Sequence, residues 1–176
     1  DLERYLLLID DLPGVAAKSV LTPSEDKPSA TTMTLILADK AFEGHVGADN
    51  RGSKFNGPYE FSGGLTANSL LGDHTRTGLQ GVITSQTEEL LFLNAFYDFP
   101  INQEGTRLFF SGSVSESEPG SSLKQFNING DSSTMTLRLT HPFFRSRGKN
   151  LTGHLGFTGR NSTTKILGSL DSEDRL

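Results

Sequence analysis

Apolar and polar residues alternate along the thirteen positions from Tyr59 to Leu71. A two-residue period places alternate side chains on opposite faces of a β-strand. At roughly 3.3 Å per residue, thirteen residues extend about 43 Å, and a tilt near 45° projects this to about 30 Å, the thickness of a bilayer's hydrocarbon. The stretch therefore predicts a strand long enough to cross an outer membrane as part of a barrel.

The same alternation recurs in six further segments, although Val82, Phe92 and Phe96 interrupt it. Ile166–Leu176 is expected to begin an eighth strand. The fold class predicted is mostly β, with antiparallel transmembrane barrel strands. The seven predicted strands are Phe42–Asp49, Tyr59–Leu71, Arg76–Ser85, Leu91–Ile101, Arg107–Ser115, Thr134–Phe143 and Leu151–Gly159.

Alternation also predicts which side chains point to lipid and which to a wet lumen, because barrel strands are apolar outside and polar inside. The predicted lipid-facing residues are Leu65, Leu79, Leu93, Phe110, Leu137 and Leu155. The predicted pore-lining residues are Glu43, His45, Asp49, Glu60, Thr66, Asn68, Gln80, Asn94, Asp98, Arg107, Arg138 and His154.

The connections between the predicted strands differ in length. Those at 72–75, 102–105 and 146–150 are short, whereas those at 51–58 and 116–133 are longer, although 86–89 is short as well. Short turns at one end and longer loops at the other are typical of bacterial outer-membrane barrels. The end with the consistently short turns is expected to be periplasmic.

The first 39 residues follow a different pattern. Leu2–Leu12 has the apolar spacing of a helix, which Pro13 and Gly14 end. Val15–Leu21 and Thr31–Ala38 are predicted strands, separated by a polar loop. A helix and two strands are too small to fold alone, so we expect their partners to lie upstream in a longer chain.

Composition limits the function. With 34% hydrophobic residues, a mean hydropathy of -0.33 and a longest early apolar run of only Tyr5–Ile9, the sequence contains no helical membrane span. A net charge of -5 with scattered basic residues gives no reason to expect nucleic acid, and the absence of cysteine excludes disulfides.

No catalytic motif or cofactor signature occurs, so neither an enzyme nor a bound cofactor is expected. Glu43, His45 and Asp49 share one predicted face and could coordinate a cation. Solvated lumen residues are the favoured interpretation, because a cation site needs several convergent ligands, and no metal site is predicted.

Several stretches, in order, resemble one protein family. Residues 3–15 are similar to the last helix of the second POTRA module (a periplasmic polypeptide-binding domain) of two-partner secretion transporters. These transporters are the haemolysin secretion and activation proteins (TpsB) of the Omp85 superfamily. Residues 49–53 with 57–59 resemble the first barrel hairpin of that family. Residues 141–151 resemble its turn between the sixth and seventh strands, and 172–176 the start of the eighth.

The resemblance implies that residues 1–39 are the end of a periplasmic POTRA module and that residues 40–176 are the first strands of a truncated barrel. It places this barrel in the outer membrane of a Gram-negative bacterium. It further implies a monomeric pore that captures an unfolded secreted exoprotein and exports it without ATP, with membrane lipids as its surroundings. Capture by pairing with an exposed strand edge is expected. The alternatives are an Omp85 relative that assembles barrels, or a soluble β-sandwich binding module.

Overall fold

The N-terminal part of the chain forms one helix and one hairpin. The computed structural model describes residues 2–24, 27, 29–86 and 88–175. Helix α1 spans Leu2–Asp10, and strands β1 (Val15–Pro23) and β2 (Thr31–Asp39) pair antiparallel as a separate two-stranded sheet. The predicted polar loop between them falls partly on residues 25, 26 and 28, which lie outside the described residues.

The rest of the chain forms one antiparallel sheet in which each strand pairs with the next along the sequence. A 3-10 turn at Ser121–Phe126 lies between β7 and β8. The eight strands are β3 (Phe42–Asp49), β4 (Glu60–Asn68), β5 (Arg76–Thr84), β6 (Leu91–Pro100), β7 (Arg107–Ser117), β8 (Asn129–Arg145), β9 (Asn150–Ile166) and β10 (Ser169–Arg175).

Strand lengths differ from the sequence prediction. β4 has nine residues instead of thirteen, because Ser69 adopts a left-handed backbone with φ 57° and turns the chain before Leu70. β8 and β9 each have 17 residues, far beyond their predicted ends. The expected eighth strand exists as β10, and Leu176 lies outside the described residues.

Packing within the described residues involves almost no buried apolar core. Ala67 is the one hydrophobic residue among them that is buried, at 7% exposure. Soluble sheets bury one apolar face against a second layer. This sheet therefore gains its order from strand pairing, and neither face has a second protein layer among the described residues.

The short connections at 72–75, 102–105 and 146–150 lie at one end of the sheet, and helix α1 contacts that end. Arg4 forms an ion pair with Glu104 between β6 and β7, at 3.0 Å, and Asp11 pairs with Arg145 at the end of β8. We call this the turn end. At the other end, the loop end, Gly120 donates to the Phe55 carbonyl at 2.6 Å, which ties two loops together.

Candidate functional site: the two faces of the sheet

Strand register divides the sheet into two faces. Directly paired residues of an antiparallel sheet point the same way, so each row of pairs belongs to one face. The row Leu65, Leu79, Ala95, Gly112 and Met135 is apolar throughout. The row shifted by one residue, Thr66, Gly78, Phe96, Ser111 and Thr136, is mostly polar.

All six predicted lipid-facing residues lie on the apolar face, and each is exposed. Leu79 is 51% exposed, Leu155 74% and Leu65 56%. Val46 on the same face is 92% exposed. A continuous exposed apolar surface of this kind has to be covered by lipid or by protein, because soluble proteins rarely expose large apolar patches.

All twelve predicted pore-lining residues lie on the opposite face, as the pairings Glu43 with Thr66, Asn68 with Arg76 and Thr140 with His154 illustrate. That they line a pore stays a prediction, since the register fixes only the face. Two of the twelve are covered: Thr66 is 8% exposed and Asn68 9%.

Asn68 is covered because the linker that follows β2 packs on it. Its side-chain nitrogen donates to the Lys40 carbonyl at 2.8 Å, and its backbone nitrogen donates to Ala41. Gly14 has φ +70°, and a Cβ there would lie 2.5 Å from the Asn68 amide nitrogen. A glycine at this position therefore allows the N-terminal unit to approach the sheet closely.

Polar-face side chains near the turn end are held by local contacts. Arg107 donates from Nε to the Asp98 carboxylate at 2.5 Å and from Nη2 to the His74 carbonyl at 3.0 Å. The Thr140 hydroxyl and His154 Nδ1 lie 3.0 Å apart. Asp98, Arg107 and His154, three of the predicted pore-lining residues, are therefore held by neighbouring groups.

The predicted pore-lining residues do not include Arg76, Phe109 and Arg160, which the register also places on the polar face. Arg76 and Phe109 take part in ring contacts with neighbouring strands. Phe109 lies between Leu108 and Phe110. Apolar and polar residues therefore do not alternate here, and the pattern does not indicate which face Phe109 occupies. A strict odd and even count from Arg107 would have assigned it to the polar face.

The turn end carries the contact between α1 and the sheet. Arg145 donates from Nε and Nη2 to the two carboxylate oxygens of Asp11, at 2.6 and 2.7 Å. The backbone nitrogen of Arg147 donates to Glu3 at 3.0 Å, so the basic turn after β8 holds the helix at two points.

The structure does not bring together a cation site. Glu43, His45 and Asp49 follow one another along the edge strand β3. Among the described residues, no group of three or more His, Cys, Asp or Glu side chains is arranged to hold a metal ion. The same described residues include no helix that could span a bilayer.

An antiparallel sheet with one exposed apolar face and one polar face is typical of the class of outer-membrane β-barrel proteins. The chain belongs to the family of haemolysin secretion/activation proteins (ShlB/FhaC/HecB), whose family model matches residues 37–175. This is the family of two-partner secretion transporters of the outer membrane, and the predicted family membership and mostly β, antiparallel fold class are confirmed.

Two curated relatives and one solved structure are similar over nearly the whole chain. HuxB of Haemophilus influenzae strain Rd, a heme/hemopexin transporter protein, is 28% identical over 167 residues, or 94% of this chain and 29% of the relative. HuxB of strain 86-028NP is 27% identical over 163 residues, or 93% and 29%. CdiB from Escherichia coli has the same fold, with a TM-score of 0.77 and 22% identity over 96% of this chain and 32% of that one. The chain thus spans under a third of their length.

Proposed function

We propose that the complete protein is an outer-membrane pore that captures a large, unfolded secreted exoprotein and translocates it, without ATP and without enzymatic chemistry of its own. The observation that carries this proposal is that the sheet exposes its apolar face, which a soluble sheet would bury. Large apolar side chains such as Leu79 and Leu155 are exposed, whereas Gln80, Asn94 and Thr136 share the opposite face. Such a sheet fits acyl chains outside and water inside.

The alternative of a soluble β-sandwich would require the apolar face to pack on a second sheet, with inner-face residues filling a core about 10 Å thick. Among the described residues only Ala67 supplies buried apolar surface of that kind. The family match favours secretion over barrel assembly, because the matched family is that of secretion and activation proteins.

In this proposal residues 1–39 are the end of a periplasmic POTRA module, and the turn end of the sheet faces the periplasm. Among the described residues neither strand of the β1–β2 hairpin pairs with a third strand, and at the β1 edge the Ala17 amide donates to Asp10. An extended exoprotein segment can add to such an edge through backbone hydrogen bonds, a mode that depends little on sequence.

Export by the complete transporter tests the proposal. Deletion of residues 1–39 is expected to abolish secretion of the partner exoprotein while the barrel still inserts, as measured by heat-modifiable mobility of the membrane-extracted protein. The matched control removes Ser122 and Leu123 from the 3-10 turn at the loop end, at the opposite end of the sheet from residues 1–39. Unchanged secretion after the deletion would show that residues 1–39 are not needed to capture the exoprotein.

A further inference from the structure

Four side chains form a strip across the polar face, near the turn end. The guanidinium of Arg76 lies over the Phe96 ring at 5.7 Å, and that of Arg138 lies over the Phe109 ring at 4.6 Å. The two rings stack on each other with centroids 6.0 Å apart and planes 25° apart. The strip therefore runs from β5 to β8 without a break, as cation, ring, ring and cation.

The arrangement is built by the local sequence. Gly78 leaves the space that the Phe96 ring fills, since a Cβ at that position would collide with the ring edge. The register places Arg76, Asp98, Phe109 and Arg138 in one row. Two partly exposed phenylalanines on a polar face are unfavourable in water, and a guanidinium lies over each ring here.

The two arginines remain available to a ligand. Asp98, the one acidic residue in their row, is engaged by Arg107 at 2.5 Å. Across the described residues, neither Arg76 nor Arg138 has a carboxylate within ion-pairing distance. A guanidinium that stacks on a ring with one face still offers its N–H donors at the edge, in the geometry that a carboxylate accepts.

Charge on the polar face is segregated between strands. The acidic residues Glu43, Asp49 and Glu60 lie on β3 and β4. The strands β5 to β9 carry one aspartate, Asp98, on this face and five arginines, of which Arg145 is paired with Asp11. The other four are Arg76, Arg107, Arg138 and Arg160, and β10 adds one acidic residue, Asp174. An acidic ligand is therefore repelled by the wall formed by β3 and β4 and attracted to the wall that holds the strip.

We propose that this strip, Arg76, Phe96, Phe109 and Arg138, is a transient docking site for acidic and apolar segments of an extended polypeptide passing through the lumen. The inference rests on the proposed pore and names the chemistry that the pore wall favours. Arg76 and Arg138 lie three strand spacings apart, about 14 Å at ~4.8 Å per spacing. Carboxylates about four residues apart in an extended segment can reach both, while apolar side chains between them cover the rings.

The test uses the complete transporter in planar bilayers and two synthetic peptides, built from the repeats Asp-Ser-Leu-Ser and Lys-Ser-Leu-Ser. In an extended chain each repeat places the charged residue and the leucine on the same face, with charges four residues apart. The wild-type pore is expected to be blocked by the acidic peptide with dwell times about tenfold longer than by the basic one. In the double variant Arg76→Gln with Arg138→Gln, the dwell time of the acidic peptide is expected to fall to that of the basic peptide.

Controls separate the strip from bulk charge. Arg160→Gln removes a positive charge from the same face away from the strip, and is expected to change the dwell time less than about twofold. Phe109→Leu keeps the apolar surface but removes the π-face, and is expected to give an intermediate loss. Equal loss in Arg160→Gln and Arg138→Gln would overturn the strip, as would equal block by both peptides.

The readouts also distinguish the strip from the pore. A protein that inserts but never conducts would overturn the proposed pore and the strip with it. A protein that conducts normally but is blocked equally by the two peptides would leave the pore in place and remove only the strip. A single-stranded oligonucleotide that blocks as long as the acidic peptide, and equally in Phe109→Leu, would identify a general anion site and overturn the polypeptide assignment.

Discussion

The two faces of the eight-stranded sheet are formed by the same strands but differ in polarity and in the contacts of their side chains. On the apolar face, Leu65, Leu79 and Leu137 are exposed and touch no second layer among the described residues. On the polar face, side chains engage one another, as in the pair Asp98 with Arg107 and the stacked rings of Phe96 and Phe109. The difference teaches that the ion pair and the cation–ring contacts lie on the side predicted to be wet, while the apolar side carries exposed side chains and one stacked aromatic pair, Tyr97 with Phe99.

The largest expected effect comes from placing a charge on the apolar face. Leu79→Arg should destabilise the inserted transporter by about 2–4 kcal/mol, because an arginine near the membrane midplane loses its hydration. Gln80→Arg, one residue away on the polar face, should cost little. Denaturant unfolding of the complete transporter in lipid vesicles measures both. Equal losses would contradict the assignment of the faces.

Glycines provide the second test, through added volume. Gly78→Val should cost about 1–3 kcal/mol, because its side chain would collide with the Phe96 ring on the polar face. Gly112→Val on the apolar face should change stability by less than about 0.5 kcal/mol, since a Cβ added at Gly112 would meet no atom within 4 Å. The same unfolding measurement applies, and a larger loss at Gly112 would mean that this face is packed.

Asp98→Asn tests the ion pair of the polar face. The variant leaves Arg107 half-buried without its counter-charge, and should cost about 1 kcal/mol. Glu43→Gln removes a carboxylate of the same face that has no ion-pair partner among the described residues, and should be nearly neutral. If the two variants lose equal stability, the ion pair of Asp98 with Arg107 contributes no more to the free energy of unfolding than an unpaired carboxylate on this face.

The smallest effect is expected at the turn end, which belongs to neither face. Asp11→Asn breaks the bidentate contact with Arg145 and should cost about 0.2–1 kcal/mol, because Asp11 is largely exposed. Hydrogen exchange at the Lys40 amide, which donates to Gly14, should become faster while exchange in β8 stays unchanged. Asp73→Asn, at the same end, serves as the control, and faster exchange there as well would contradict a specific contact.

Alternation along the chain predicted the sheet and the face of each side chain. A two-residue period assigns the same faces wherever a strand is taken to begin or end. The extension of β8 over Asn129–Ser133 was missed, since Asn, Gly, Asp and Ser disfavour strands. Pairing with β7 and β9 supplies the backbone hydrogen bonds that override this preference, with Ser115 and Ser132 3.0 Å apart across the ladder.

The strip and the burial of Asn68 could not be predicted from sequence for a different reason. Both depend on contacts between positions far apart in the chain, such as Asn68 with Lys40 and Arg138 with Phe109. Alternation gives the face of a side chain but not its neighbour across the strands, because the register is set by turns whose geometry the sequence defines loosely. Ser69, with its positive φ, is one such turn residue.

The central claim is that the apolar face touches acyl chains and the polar face touches water. The chain contains no cysteine, so single cysteines placed at positions 77 to 83 of β5 can be spin-labelled in a cysteine-free complete transporter in lipid vesicles. Collisions with oxygen, which partitions into lipid, should peak at odd positions such as Leu79, and collisions with a water-soluble nickel chelate at even positions such as Gln80. Accessibility without this two-residue period, or oxygen peaks at the even positions, would contradict the account.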